Sequence, residues 1–376
     1  MGAQNHSRLS SARRRPILGS PPRMARCVPA FAWTTKKFFT ALVIAGALIA
    51  HGAAPAAAQN FYAGRQLTLI CGAAVGGGYD ALARLLARHL GRLIPGNPTV
   101  IVQNMPAAGS LVAANQIYNA APKDGSVISL IQRGMLTSKL INPAQTRFDV
   151  ARLNWIGSLA SEVGVVAAWH TAPHKSAKDL FDKELIVGGH AGVDPELTPR
   201  LYNAVLGTKF KIITGYNGTA DIALAMERGE VFGIGDWSWS SFKKQRPHWL
   251  RDKMITVLMQ SGLKNDPELP DLPNALDFAK SDAERKILQL YFTQKTAARP
   301  VIAPPGIPAE RLAILRTAFA ALASDRDFLA DAEKSSLDVD PMPGEEVDKI
   351  VALIASAPAD VVERYTKAFA GAGQPH

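Results

Sequence analysis

Short apolar runs alternate along this chain with longer stretches of helical periodicity, the pattern of an α/β protein whose sheet is largely parallel. Leu67 to Cys71 is patterned as a buried strand and Gly76-Gly77-Gly78 as the turn that follows it. A helix is expected from about Tyr79 to Gly91, with Leu82, Leu85, Leu86 and Leu90 on one face and Arg84 and Arg88 on another. Thr99 to Gln103 is a second strand, Gly109-Ser110 opens a helix through Leu111 and Ile117, and Pro122-Lys123-Asp124-Gly125 turns into a strand from Val127 to Gln132. The alternation then repeats. Leu185-Ile186-Val187 is a strand closed by the loop Gly188-Gly189-His190-Ala191-Gly192, and a helix runs from about Pro195 to Leu206. Phe210 to Thr214 is a strand, Tyr216-Asn217-Gly218-Thr219 turns into a helix ending near Gly229, and Val231 to Gly235 is again a strand. Beyond the Pro- and charge-rich stretch 267–280, a helix leads to Val301-Ile302-Ala303, and Pro304 to Pro308 opens the C-terminal helices.

The first fifty-eight residues carry a different pattern. Lys36-Lys37 precedes an apolar run, Phe38 to Ala50, that is short for a membrane span. Ala56-Ala57-Ala58 before Gln59 then fits the small-residue pattern of signal-peptidase cleavage. Residues 1–58 are therefore expected to be a signal peptide with an upstream leader, and Met1 and Met24 both remain open as starts. The leader contains 8 of the 42 Lys and Arg residues and none of the 32 Asp and Glu, so the formal net charge of +10 falls to about +2 without it. The basic balance thus gives no reason to expect a nucleic-acid partner. Cys27 lies in the leader, which leaves Cys71 alone and no internal disulfide. CxxC and HExxH metal motifs are absent, and no metal or cofactor is expected. The remaining 318 residues suit two lobes better than one core. The division expected is 59–158 for the first lobe, 159–295 for the second, and 296–376 for a return to the first with C-terminal helices.

The strongest local signal is Val75-Gly76-Gly77-Gly78-Tyr79-Asp80, between a strand and a helix. Glycines let a backbone turn sharply and approach a ligand closely. A helix N-terminus adds unpaired N–H donors and partial positive charge, and so favours an anion by about 0.3–1 kcal/mol when exposed and up to ~2 when partly buried. The alternative reading is a tight turn with a capped helix and no ligand. Nucleotide motifs fit badly, because the three glycines are contiguous and Gly78-Tyr79 stands where a P-loop has Lys-Ser/Thr.

These residues, taken in order, resemble the tripartite tricarboxylate transporter solute-binding family, the Bug-type receptors. The loop before Asp80 with Ala83-Arg84 beyond it, the segment Gln103-Asn104-Met105-Pro106-Ala107-Ala108-Gly109, the turn Ala120-Ala121-Pro122-Lys123-Asp124-Gly125, the loop Gly215-Tyr216-Asn217-Gly218 and the stretch Ala303-Pro304-Pro305-Gly306-Ile307-Pro308 match its motifs from about residue 65 to 355. Val75 and Gly215 stand where prolines are usual, and Ala108 stands where a glycine is usual.

The resemblance implies an α/β, two-lobe periplasmic binding protein fold (type II-like) with a ligand cleft between lobes. It offers Gly76, Gly77, Gly78, Tyr79 and Asp80 from one lobe, and Gly189, His190, Ala191, Gly192, Tyr216, Asn217 and Gly218 from the other. Arg133 is a separate candidate: it follows a strand and either forks onto a ligand carboxylate or makes a surface salt bridge at the rim. Asp236, Trp237 and Trp239 close the strand Val231 to Gly235, where a tryptophan either packs or lines the cleft. The function expected is extracytoplasmic capture of a small organic acid, by a monomer, for the integral-membrane subunits of a tripartite transporter. A sensor that presents ligand to a signalling receptor would use the same cleft. An α/β hydrolase is disfavoured, since no GxSxG elbow is found.

Overall fold

The structure, a computed structural model, describes residues 61–370. The secretion leader expected over 1–58 lies outside the described residues. The strands are β1 (Gln66–Cys71), β2 (Thr99–Asn104), β3 (Val127–Leu130), β4 (Asn154–Ser158), β5 (Gly164–Trp169), β6 (Leu185–Gly188), β7 (Phe210–Ile213), β8 (Gly233–Ser238), β9 (Ile255–Ser261), β10 (Pro300–Ala303) and β11 (Met342–Pro343). The principal helices are α1 (Gly78–Leu93), α2 (Leu111–Asn119), α3 (Asp194–Val205), α4 (Thr219–Glu227), α5 (Trp239–Gln245), α6 (Asp282–Thr296), α7 (Ala309–Ala321), α8 (Arg326–Lys334), α9 (Gly344–Ala355) and α10 (Ala359–Ala368).

Two sheets form. The first has the order β11-β4-β10-β3-β1-β2 and the second β7-β6-β8-β5-β9. The chain leaves the first sheet after β4, builds the second from β5 to β9, and returns through α6 to β10. The sheets are mixed rather than largely parallel. β1 pairs parallel with β2 and β3, and β6 with β7 and β8. The other five pairings, all involving β4, β5 or β10, are antiparallel. The expectation failed because strand-helix alternation marks the βαβ units only. The strand β5 follows β4 without an intervening helix, and β9 and β10 follow helices yet pair antiparallel with their neighbours, so alternation does not fix direction.

The helical faces follow the sequence pattern. Leu82, Leu85, Leu86 and Leu90 of α1 are buried against Leu67, Leu69 and Cys71 of β1 and against Phe319 and Phe328 of α7 and α8. Each such side chain contributes about 1.5–3 kcal/mol of burial. Trp169, Ile222, Met226, Trp237, Phe242 and Trp249 form the core beside the second sheet. One strand is displaced from its expected place: β8 spans Gly233–Ser238, not Val231 to Gly235. Asp236 and Trp237 therefore lie within the strand, and Trp239 opens α5. With β6 on one side and β5 on the other, β8 is buried along its whole length, so an acid can sit inside it only if paired.

Candidate ligand-binding cleft

Three helices start at the same cleft, each directly after a strand: α1 after β1, α3 after β6 and α4 after β7. Their N-cap residues Gly77, Val193 and Gly218 make no side-chain capping bond. Each helix nevertheless has an acid at its third position, and each acid turns back on the loop. The Gly76 amide donates to Asp80 Oδ2 (3.0 Å), the Gly192 amide to Glu196 Oε2 (2.7 Å) and the Asn217 amide to Asp221 Oδ2 (3.2 Å). The carboxylates thus fix the residue before the cap. The first three amides of α1 and of α4 have no acceptor within the helix, and these helix starts border the cleft; α3 offers only the Asp194 amide, since Pro195 has no N–H and the Glu196 amide donates to the Val193 carbonyl (2.9 Å). Gly76 (φ 86°) and Gly192 (φ 75°) hold the left-handed conformation that these curled loops require.

The cleft encloses a cavity of about 150 Å³. Of the residues read from the sequence, Gly77, Gly78, Tyr79, Arg133, His190, Asn217, Gly218, Asp236 and Trp237 line it. The others stand behind. Asp80 is buried and accepts from the Arg84 guanidinium and the Asn104 amide as well as from Gly76. Although burial raises its pKa, those donors outweigh the effect and hold it below the usual carboxylate range. Gly189 packs against Ile212 and Glu196, Tyr216 packs on the core of the second sheet, and Ala191 and Gly192 face a second cavity with Leu111, Met135 and Ile141.

Charged side chains meet in pairs around the cleft. Arg133, only 4% exposed, forms an ion pair with Asp194 and donates from Nη1 to Ser238 Oγ (3.1 Å). The Tyr291 hydroxyl donates to Asp194 Oδ1 (2.8 Å). Lys295 Nζ lies 2.6 Å from Asp236 Oδ2, which also accepts from Thr198 Oγ1 (2.7 Å). Arg299 Nη2 lies 2.8 Å from Glu162 Oε1, and the Arg299 guanidinium stacks 4.2 Å over the Tyr79 ring. The Tyr79 hydroxyl donates to the Ala298 carbonyl (2.7 Å) and accepts from the Arg133 amide (3.1 Å). Burial opposes the Arg133 charge, yet Asp194 outweighs it and raises the pKa. Burial likewise opposes the Asp194 charge, and Arg133 with Lys295 reverses the effect and lowers it. Asp236 goes the other way: burial raises its pKa further than Lys295 lowers it. Burial also lowers His190, which is neutral near pH 7.

The sequence reading had not singled out Asp194, Arg299, Lys295 or Glu162. Arg133 and Arg299 converge because β3 and β10 are antiparallel neighbours, and the Ile131 amide donates to the Pro300 carbonyl (3.1 Å). That pairing joins positions more than 160 residues apart and leaves no mark on local pattern. Four donors on lining residues are buried without a partner: Arg133 Nε, Trp237 Nε1, Gln245 Nε2 and Arg299 Nε.

Two sheets, linked by strands that leave and re-enter the first, with a cleft walled by helix N-termini, define a two-lobe periplasmic binding protein fold. No protein-family model matches the chain. It is 27% identical over 250 residues to a UPF0065 protein in the gbd 5' region of Cupriavidus necator, covering 63% of this chain and 72% of that one. Its fold is similar to the periplasmic binding protein BugD (TM-score 0.64, 20% identity), covering 82% of this chain and 98% of that chain. It is similar to the same degree to R. palustris Rpa4515 with adipate (TM-score 0.64, 22% identity, 82% and 98% covered). BugD bears the name of the Bug-type receptors that the motifs resemble, and a second fold neighbour is a TctC solute binding protein from Polaromonas (TM-score 0.57, 18% identity, covering 81% of this chain and 99% of that chain), so the resemblance and the two-lobe α/β fold are both borne out.

Proposed function

We propose that this protein is an extracytoplasmic solute-binding protein. It closes on a small organic acid and presents it to the integral-membrane subunits of a tripartite transporter. The convergence of three helix N-termini, uncapped by side chains and contributed by both sheets, carries this reading. Helix ends of this kind attract a carboxylate. Micromolar affinity requires about −8 kcal/mol. Hydrogen bonds to a charged group contribute roughly 1.5–3 kcal/mol each, so three or four exceed that figure before ordering costs are subtracted. Among the described residues, 61–158 and 296–370 form one lobe and 159–295 the other, and the chain reaches the periplasm through its N-terminal leader. Gly77 to Tyr79, His190, Asn217 and Gly218 touch the ligand, while Asp80, Glu196 and Asp221 hold the loops in shape. The adipate held by the R. palustris protein is in keeping with a carboxylate ligand.

The test is a thermal-shift screen of organic acids followed by calorimetry and product analysis. A ligand at 100 times its Kd adds about 2.7 kcal/mol of stability. Binding with the ligand recovered unchanged is the expected result. Turnover of a bound acid, or a panel in which only non-acidic solutes bind, overturns the reading.

A further inference from the structure

The charges that wall the cleft cancel in a way that limits what it can hold. Arg133 is matched by Asp194, Arg299 by Glu162 and Lys295 by Asp236. All three basic groups are almost wholly buried, so none is a freely solvated cation that can turn toward a ligand. Asp221 lines the same cavity and has no ion pair among the described residues. His190 is desolvated and adds no charge near neutrality. The side chains therefore sum to about one negative charge. Each of the three helix N-termini supplies roughly +0.5, together about +1.5, which leaves about half a positive charge for the ligand. That balance suits one carboxylate and is in deficit for two.

The unpartnered donors agree with the charge balance. Of the four, Trp237 Nε1 and Gln245 Nε2 are neutral, and Arg133 Nε and Arg299 Nε belong to guanidiniums whose charge is already matched by Asp194 and Glu162. Thr219 Oγ1 donates to Gln245 Oε1 (3.4 Å), so it is the amide nitrogen that is left without a partner. Such buried donors call for an acceptor, and a single carboxylate supplies two oxygens. Asp221, on the same wall, accepts from the Asn217 amide and side chain but has no ion pair among the described residues, so its charge is left to meet a positive group on the ligand.

We propose that the cleft takes one carboxylate and not two: its ligand is a monocarboxylate, held best when the far end carries an ammonium group that Asp221 can face. This rests on the carboxylate-cleft reading given above and narrows it. A second carboxylate near Asp221 would meet a like charge in a partly desolvated site, where repulsion is stronger than in water.

The experiment is calorimetric titration of the full protein with three ligands on the same carbon chain, at lengths of four to six carbons: the α,ω-dicarboxylate, the ω-amino carboxylate and the plain monocarboxylate. The ω-amino acid is expected to bind at least about tenfold tighter than the dicarboxylate of the best-fitting length, with the monocarboxylate between them. Asp221→Asn keeps the shape of the side chain and an acceptor for the Asn217 amide. It is expected to narrow that gap, weakening the amino acid and strengthening the dicarboxylate. A dicarboxylate that binds as tightly as the amino acid, or tighter, overturns the inference while the carboxylate cleft stands. No binding by any member, in protein that melts normally, overturns the cleft reading itself.

Discussion

Arg133 and Asp194 meet as an ion pair across the cleft, one opening the short helical turn that follows β3 of the first sheet and the other opening a helix attached to the second. The sequence left Arg133 between a cleft contact and a rim salt bridge. The structure places it in the cleft and buries it. Removing one partner of a buried pair strands the other charge and costs about 3–5 kcal/mol, whereas replacing both with apolar groups is often neutral. Arg133→Met is therefore expected to lower unfolding stability by about 3 kcal/mol, and adding Asp194→Leu to restore most of it. Urea denaturation of the single and double variants checks this. A loss below about 1 kcal/mol in the single variant would mean the pair behaves as a solvated surface pair.

Gly78 and Ser241 set how closely the start of α1 approaches α5 of the second sheet. A Cβ at Gly78 would lie 2.3 Å from Ser241 Oγ and 3.3 Å from its Cβ. At Gly77 (φ −85°) a Cβ would meet only the Ala74 carbonyl, at 3.8 Å. Of the three consecutive glycines, close approach therefore constrains Gly78 and positive φ constrains Gly76, while Gly77 is constrained by neither. Gly78→Val is expected to weaken ligand binding more than about tenfold by wedging the cleft. Gly77→Ala should change it far less, and Ser241→Gly should partly rescue a Gly78→Ala variant. Titration with the best acid from the screen decides the order; equal effects of Gly77→Ala and Gly78→Ala would refute the wedge.

Much of this arrangement was legible in the sequence, for identifiable reasons. Strand, glycine turn and helix stand side by side in the chain, so the loops at Gly76 to Asp80, Gly189 to Gly192 and Tyr216 to Gly218 could be placed from local pattern alone. What local pattern could not show is direction. Asp80 and Glu196 look like ordinary first-turn acids, and only the fold reveals that they fasten Gly76 and Gly192 rather than face a ligand. Nor could it show partners. Lys295 ends a helix and Asp236 sits inside a strand, and each reads as exposed or misplaced until the two meet at 2.6 Å. Local pattern ends β8 too early for the same reason: an acid within a buried run argues against a strand unless its cation is known.

Asp80 makes a pH-dependent contribution whose sign can be worked out. Its folded pKa is held below 3.8, chiefly by Arg84, the Gly76 amide and Asn104 acting against burial. A depressed acid contributes stability that is fully present above the unfolded value and is lost as pH falls through the folded one. Asp80→Asn is therefore expected to be less stable than the parent at pH 7, by about 1–3 kcal/mol. The two should converge as pH falls below about 4. Denaturant melts at several pH values check this. A difference that stays constant down to pH 2 would show that the Asp80 charge contributes nothing.

Ala108, Gly109 and Ser110 are three consecutive left-handed residues, with φ of 48°, 59° and 77°. Only one is a glycine, so the segment stores strain at the other two. A left-handed L-residue costs roughly 1–2 kcal/mol. Ala108 is exposed and has nothing visible to offset this cost. Ser110 does. Buried, its hydroxyl donates to the Gly72 carbonyl (2.7 Å) and accepts from the Gln132 amide (2.9 Å), tying the loop before α1 to the strand end that carries Arg133. Ala108→Gly relieves the strain but frees the unfolded chain, which returns about 0.4–1 kcal/mol of the gain. A net stabilisation of about 0.5–1 kcal/mol is expected. Ser110→Gly relieves the same strain yet loses two hydrogen bonds and leaves two buried backbone groups unpaired, at about 1–3 kcal/mol each. It should therefore destabilise by about 1–3 kcal/mol and weaken ligand binding through Gln132 and Arg133. Urea melts of the two variants give opposite signs on this account, and the same sign in both would overturn it.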